Sequence, residues 1–75
     1  MSRVEMSARI SNADERRAVM AWVRAASFNG YSEIGDTVSV TFVDDLKDPE
    51  NNNRKWGAIH FFEQYPEHSI HSTEN

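Results

Sequence analysis

Three imidazoles are the first groups in this chain that could do chemistry: His60, and then His68 and His71 three residues apart with Glu67 beside them. A zinc site needs three or four convergent ligands held in place by an outer shell. Two of these three lie in a polar C-terminal stretch expected to be disordered, so neither a metal nor any cofactor is expected. A second cluster is acidic: Asp44, Asp45, Asp48 and Glu50, followed by Asn51, Asn52 and Asn53. Such oxygen ligands suit calcium, but a calcium loop needs a glycine at its sharp turn and a bidentate Glu at its end. Here Pro49 stands where flexibility is wanted and the stretch has no glycine. It reads as a solvated loop whose charge, through Asp44, Asp45 and Asp48, can steer encounter with a partner.

Nucleophilic chemistry has little to work with. There is no cysteine, and Ser27, Ser32 and Ser39 have no His and carboxylate in a recognisable arrangement. The three glycines are isolated, so no loop cradles a phosphate. Carboxylates at a solvated tip keep ordinary pKa values, which suits general acid work poorly. No enzymatic activity is expected. The cations offer a different chemistry: Arg16, Arg17 and Arg24, then Arg54 and Lys55 just before Trp56, with Tyr31 and Tyr65 as further rings. Basic groups with aromatic platforms hold single-stranded nucleic acid, so a face built from Arg17, Arg24, Arg54 and Lys55 is the alternative reading. Acidic residues interrupt these cations along the chain, and a single predicted helix excludes a helix-turn-helix.

The elements that must position these groups follow from hydrophobic periodicity. Val4, Met6, Ala8 and Ile10 alternate with Arg3, Glu5, Ser7 and Arg9, the pattern of a half-buried strand. Ser11 or Asn12 then supplies a helix cap, with Asp14 or Glu15 three residues on. The spacing predicts a helix from Ala13 to about Phe28, stopped at Asn29-Gly30, with Val19, Trp22, Val23 and Ala26 as its core stripe. Ala18, Ala21 and Ala25 form a smooth strip beside Trp22 on which another helix could pack. Tyr31 to Asp36 reads as a connector between Gly30 and Gly35. Val38, Val40 and Phe42 face one way from a second strand, and Trp56 to Phe62 reads as a third. Between these two strands lie Asp44 to Lys55, a long connector unless the strands extend into it towards a turn at Asp48-Pro49-Glu50-Asn51. The expectation is an α+β two-layer β-α-β-β domain over residues 1–66, with one helix on a three-stranded sheet. Residues 67–75 are expected to form a polar, flexible tail.

That architecture leaves apolar groups over. As a strand, Trp56, Ala58 and Phe62 share one face and Ile59 and Phe61 the other, and one helix covers one face only. A chain of 75 residues builds a small core, and without cysteine no disulfide enlarges it. The absence of cysteine favours a reducing, cytoplasmic setting, and no run approaches a membrane span. The net charge of −4, from 12 acidic and 8 basic residues, argues against wholesale phosphate binding. The expected role is a non-enzymatic protein-interaction module that binds and regulates or inhibits a larger partner, as a homodimer. Trp56, Ile59, Phe61 and Phe62 would face the partner with the acidic loop. Ala18, Ala21, Ala25 and Trp22 would form the dimer seam. In size, acidity and lack of catalytic motif the chain is similar in type to small phage or mobile-element accessory proteins that bind a host protein.

Overall fold

Alternation of apolar and polar residues builds the centre of the sheet. In the computed structural model, which describes residues 2–74, Val4, Met6 and Ala8 of β1 (Ser2–Arg9) lie directly opposite Phe42, Val40 and Val38 of β3 (Thr37–Asp44). All six are buried on one face. Chain order is β1, α1 (Ala13–Ala25), β2 (Gly30–Ile34), β3, α2 (Asn51–Phe62) and β4 (His68–Glu74). The four strands run in the order β2-β3-β1-β4, each antiparallel to its neighbours. Each helix therefore carries the chain past an intervening strand, the double split β-α-β of the ferredoxin-like topology. Many unrelated functions share that topology, so it implies none of them.

Helix α1 starts where Asn12 Oδ1 accepts the Glu15 N–H at 2.9 Å, and it buries Val19, Met20 and Val23. It ends at Ala26, before the expected stop, because Ser27 takes the left-handed conformation at φ 58°. Gly30 instead opens β2. The β2–β3 hairpin closes through Gly35 at φ +59° and Asp36, a two-residue turn with the glycine where positive φ is required. Helix α1 lies over β3 and α2 lies over β1 and β4, all on the face that carries Met6 and Val40. The other sheet face is bare.

The small α+β, two-layer class stands as expected, but the inventory is larger: four strands and two helices. The run from Trp56 to Phe62 is helical, not extended. Asn51, Ala58 and Phe62 are its buried residues, spaced seven and four apart on one helical face. The loop before it is only Asp45 to Glu50, and Tyr31 lies in β2. The expected flexible tail is strand β4 through Glu74, paired with β1 from Ala8↔His68 to Ser2↔Glu74. Met1 and Asn75, parts of the expected domain and tail, lie outside the described residues.

A second helix changes the arithmetic of burial. Phe62 and Ala58 are fully buried, and Ile59 and Phe61 are half-buried against the core. Burying Phe62 alone stabilises the fold by roughly 1.5–3 kcal/mol. The four residues expected on a partner surface thus divide: Phe62 belongs to the core, Ile59 and Phe61 to its margin, and only Trp56 stands out, 61% exposed.

Candidate interaction surface

The helical layer presents its outer surface along the seam between α1 and α2. Trp22 forms the floor. Its ring stacks on Phe61 at 5.1 Å and meets Phe28 edge-on at 5.6 Å, and Phe28 in turn touches Phe42 at 5.7 Å. This relay of rings ties the seam to the sheet. Gly57 of α2 faces this ring: an added Cβ there would sit 3.7 Å from the Trp22 side chain, an ordinary contact distance. At 3.6 residues per turn, Ala18, Ala21 and Ala25 fall on the outward, α2-ward side of α1 beside Trp22, and all three are exposed. On α2, Trp56 lies 200° round from the buried Ala58, so it projects away from the sheet. At the open end of the seam a groove of about 290 Å³ is lined by Trp22, Ala25, Ala26 and Ser27 on one side and Glu50, Asn53 and Arg54 on the other. The alanine strip and Trp56 therefore share one side of the molecule. The alanine spacing along α1 was readable in the sequence, whereas the helical setting of Trp56, expected in a strand, was not.

The acidic loop is knitted into the fold. Asn51 is buried, its Nδ2 donating to Asp44 Oδ1 at 2.7 Å while its Oδ1 accepts the Asp45 N–H at 3.0 Å. Lys55 Nζ reaches Asp44 Oδ2 at 2.9 Å. The Asn51 hydrogen bond first, and then Lys55, hold the Asp44 carboxyl below its ordinary pKa. Asp48 Oδ1 accepts the Glu50 N–H and its Oδ2 pairs with Arg54 Nη1, both at 3.0 Å. These two contacts, the backbone one the larger, also lower its pKa. Asp45 Oδ1 accepts the Lys47 N–H in an Asx turn. Of the aspartates expected to face a partner, Asp44 and Asp48 are thus occupied at the start of α2 and Asp45 in the turn before it, while Leu46 in the same loop is 87% exposed.

The four cations expected to form one basic face are divided. Arg17 and Arg24 line the flank of α1 away from α2, together with Glu33. Arg17 also pairs with Asp14 at 3.2 Å. Arg54 and Lys55 are bound at the start of α2, where Arg54 Nε also donates to the Ala26 carbonyl at 3.2 Å and so closes the C-terminal end of α1. Arg16 ties α1 to the β2–β3 hairpin through Glu33 at 2.9 Å, Asp36 at 3.2 Å and the Ile10 carbonyl. Tyr65 is half-buried against the core, and burial, with Glu15 nearby, pushes its phenol up in pKa.

The bare sheet face is hydroxyl-rich. Cross-strand pairing sets Ser32, Ser39, Ser7 and Ser69 in a straight row across all four strands. Among the described residues no Phe, Tyr or Trp side chain lies on this face to stack a base. The sequence showed each serine but not the row, which depends on strand register. His71 is on this face opposite Glu5, His68 is on the helix-covered side opposite Ala8, and His60 is on the outer surface of α2. Among the described residues no three metal-ligating side chains converge, and no helix is long and apolar enough to cross a membrane. In comparison with known proteins, the chain matches no family model, no curated protein and no solved structure.

Proposed function

We propose that the chain is a non-enzymatic protein-interaction module that regulates a larger protein, docking it through the outer surface of the two helices with Trp56 as anchor. The observation that carries this reading is a 61% exposed tryptophan on the same outward helical layer as an exposed strip of alanines. Tryptophan is enriched among residues that dominate binding energy, and small side chains let a partner approach the backbone. The helical layer supplies the rigid backing. The nucleic-acid alternative has weaker support, since the cations it needs are dispersed and mostly paired with carboxylates.

Affinity capture from the source cell, with protein and nucleic-acid fractions both identified, tests the reading. Trp56→Ala and Ala21→Arg are expected to lose a protein that the parent chain retains, with far-UV circular dichroism and melting temperature unchanged. Retention of that protein by both variants would refute the docking surface. Low-salt anisotropy with single-stranded DNA or RNA is expected to be flat, and tight binding that weakens steeply with salt would favour the alternative.

A further inference from the structure

The β4 edge of the sheet has a backbone pattern that can be read atom by atom. The Arg9 N–H donates to the Glu67 carbonyl at 2.9 Å. Antiparallel ladders alternate between residue pairs that exchange hydrogen bonds and pairs that do not. Counting from Arg9 and Glu67, the exchanging pairs are Ser7 with Ser69, Glu5 with His71, and Arg3 with Thr73. The N–H and C=O groups of His68, Ile70 and Ser72 therefore point off the edge. At the opposite edge the same count, begun from the Ile10 N–H to Asp36 carbonyl bond at 2.8 Å, leaves only Tyr31 and Glu33 outward. That strand has five residues and Arg16 clasps its Glu33.

Edges are ordinarily guarded by Lys, Pro or a bulge. β4 has none of these: its seven residues pair with β1 in unbroken register. From His68 to Thr73 it also lacks any Asp, Glu, Lys or Arg, so a second copy of the strand meets no like charge. On the helix-covered side Ile70 is 42% exposed, and α2, with its half-buried Ile59, stands over β4. A bare peptide would cover Ile70 alone, whereas a second copy brings its own helix and extends the apolar layer.

We propose that β4 pairs antiparallel with β4 of a second copy, about a two-fold axis through His71, joining two four-stranded sheets into one of eight strands. This register overlaps all seven residues, sets Ile70 of each copy opposite Ser72 of the other, and uses the outward groups in about eight backbone hydrogen bonds. The axis is perpendicular to the sheet, so both helical layers lie on the same side and both Trp56 rings project that way. Two linked docking surfaces gain affinity for a partner with repeated sites. That last consequence alone rests on the proposed function.

Sedimentation equilibrium tests the pairing over protein concentrations from about 10 µM to about 1 mM, a span suited to small interfaces. The expected mass rises to twice 8.6 kDa. Amide exchange followed by NMR is expected to slow at Ile70 and Ser72 as the dimer forms, while Tyr31 and Glu33 stay fast. Ser72→Pro removes an outward donor that the ladder does not use, so the fold is expected to persist and the dimer to be lost. A monomer throughout, or a dimer whose Ile70 and Ser72 amides exchange as fast as those of Tyr31 and Glu33, overturns the proposal. A folded Ser72→Pro that still dimerises overturns it too, and if that variant fails to fold the exchange data decide. Trp56→Ala is expected to dimerise normally, which separates failure here from failure of the docking surface.

Discussion

Replacing Asn51 by alanine tests whether the loop carboxylates belong to the fold. The substitution removes the charge-assisted bond to Asp44 at 2.7 Å, worth about 1.5–3 kcal/mol, and the bond from the Asp45 N–H at 3.0 Å, worth about 0.5–1.5 kcal/mol. Part of this is recovered, because Asp44 keeps Lys55 and its side chain is 19% exposed, so water can replace the amide. The expected loss is about 2–3 kcal/mol. Domains of this size are stable by about 4–11 kcal/mol at 0.05–0.15 kcal/mol per residue. At about 4–8 °C per kcal/mol the melting temperature should fall by about 10–20 °C. Urea unfolding at constant slope, followed by circular dichroism, measures the change.

The same variant carries a pH signature. The folded-state pKa of Asp44 is depressed, so its stabilisation is present above the ordinary carboxylate value near about pH 4 and is lost as pH falls through the depressed folded value. Asn51 is the largest cause of that depression. The gap between parent and Asn51→Ala should therefore narrow as pH falls below about 4. A loss under about 0.5 kcal/mol at neutral pH, the range of ordinary surface substitutions, would refute the reasoning. So would a gap that does not change with pH.

Truncation after Pro66 strips β4 from β1, leaving the Arg3, Glu5 and Ser7 backbone groups unpaired. The expected outcome is loss of cooperative thermal unfolding, and an unchanged melt would show that β4 is dispensable. Gly35→Ala places a Cβ in open space but at φ +59°, so its cost is backbone strain alone, about 1–2 kcal/mol. Gly35→Asn should lose clearly less in the same urea titration, and equal losses would point to a cause other than backbone conformation.

What could be read in the sequence was local. The alternation of Val4, Met6 and Ala8, and that of Val38, Val40 and Phe42, identified the two central strands, whose buried faces leave a strong period-two signal. Asn12 as a cap with Glu15 behind it located the start of α1. Trp56 to Phe62 was misread because aromatic and β-branched residues favour strands, and a short apolar run fits either period. The helical spacing emerges only when the polar Asn51 is counted as a buried position, which it is because Asp44 and Asp45 occupy both ends of its amide. β4 was invisible for the opposite reason: an edge strand exposed on both faces needs no apolar alternation, and its order comes from the β1 ladder.

By itself, the order of residues along this chain determined the class, the central pair of strands, the first helix, and the absence of any cysteine chemistry. Tertiary structure alone decided which rings are sheltered, since a second helix roofs Phe62 and leaves Trp56 outside. It also set Ser7, Ser32, Ser39 and Ser69 in line and bound the Asp44 and Asp48 carboxylates to a helix start. The physical reason is range. Periodicity and capping act over a few neighbours, whereas strand register and side-chain partnership couple residues as far apart in the chain as Ser2 and Glu74, and nothing local encodes them.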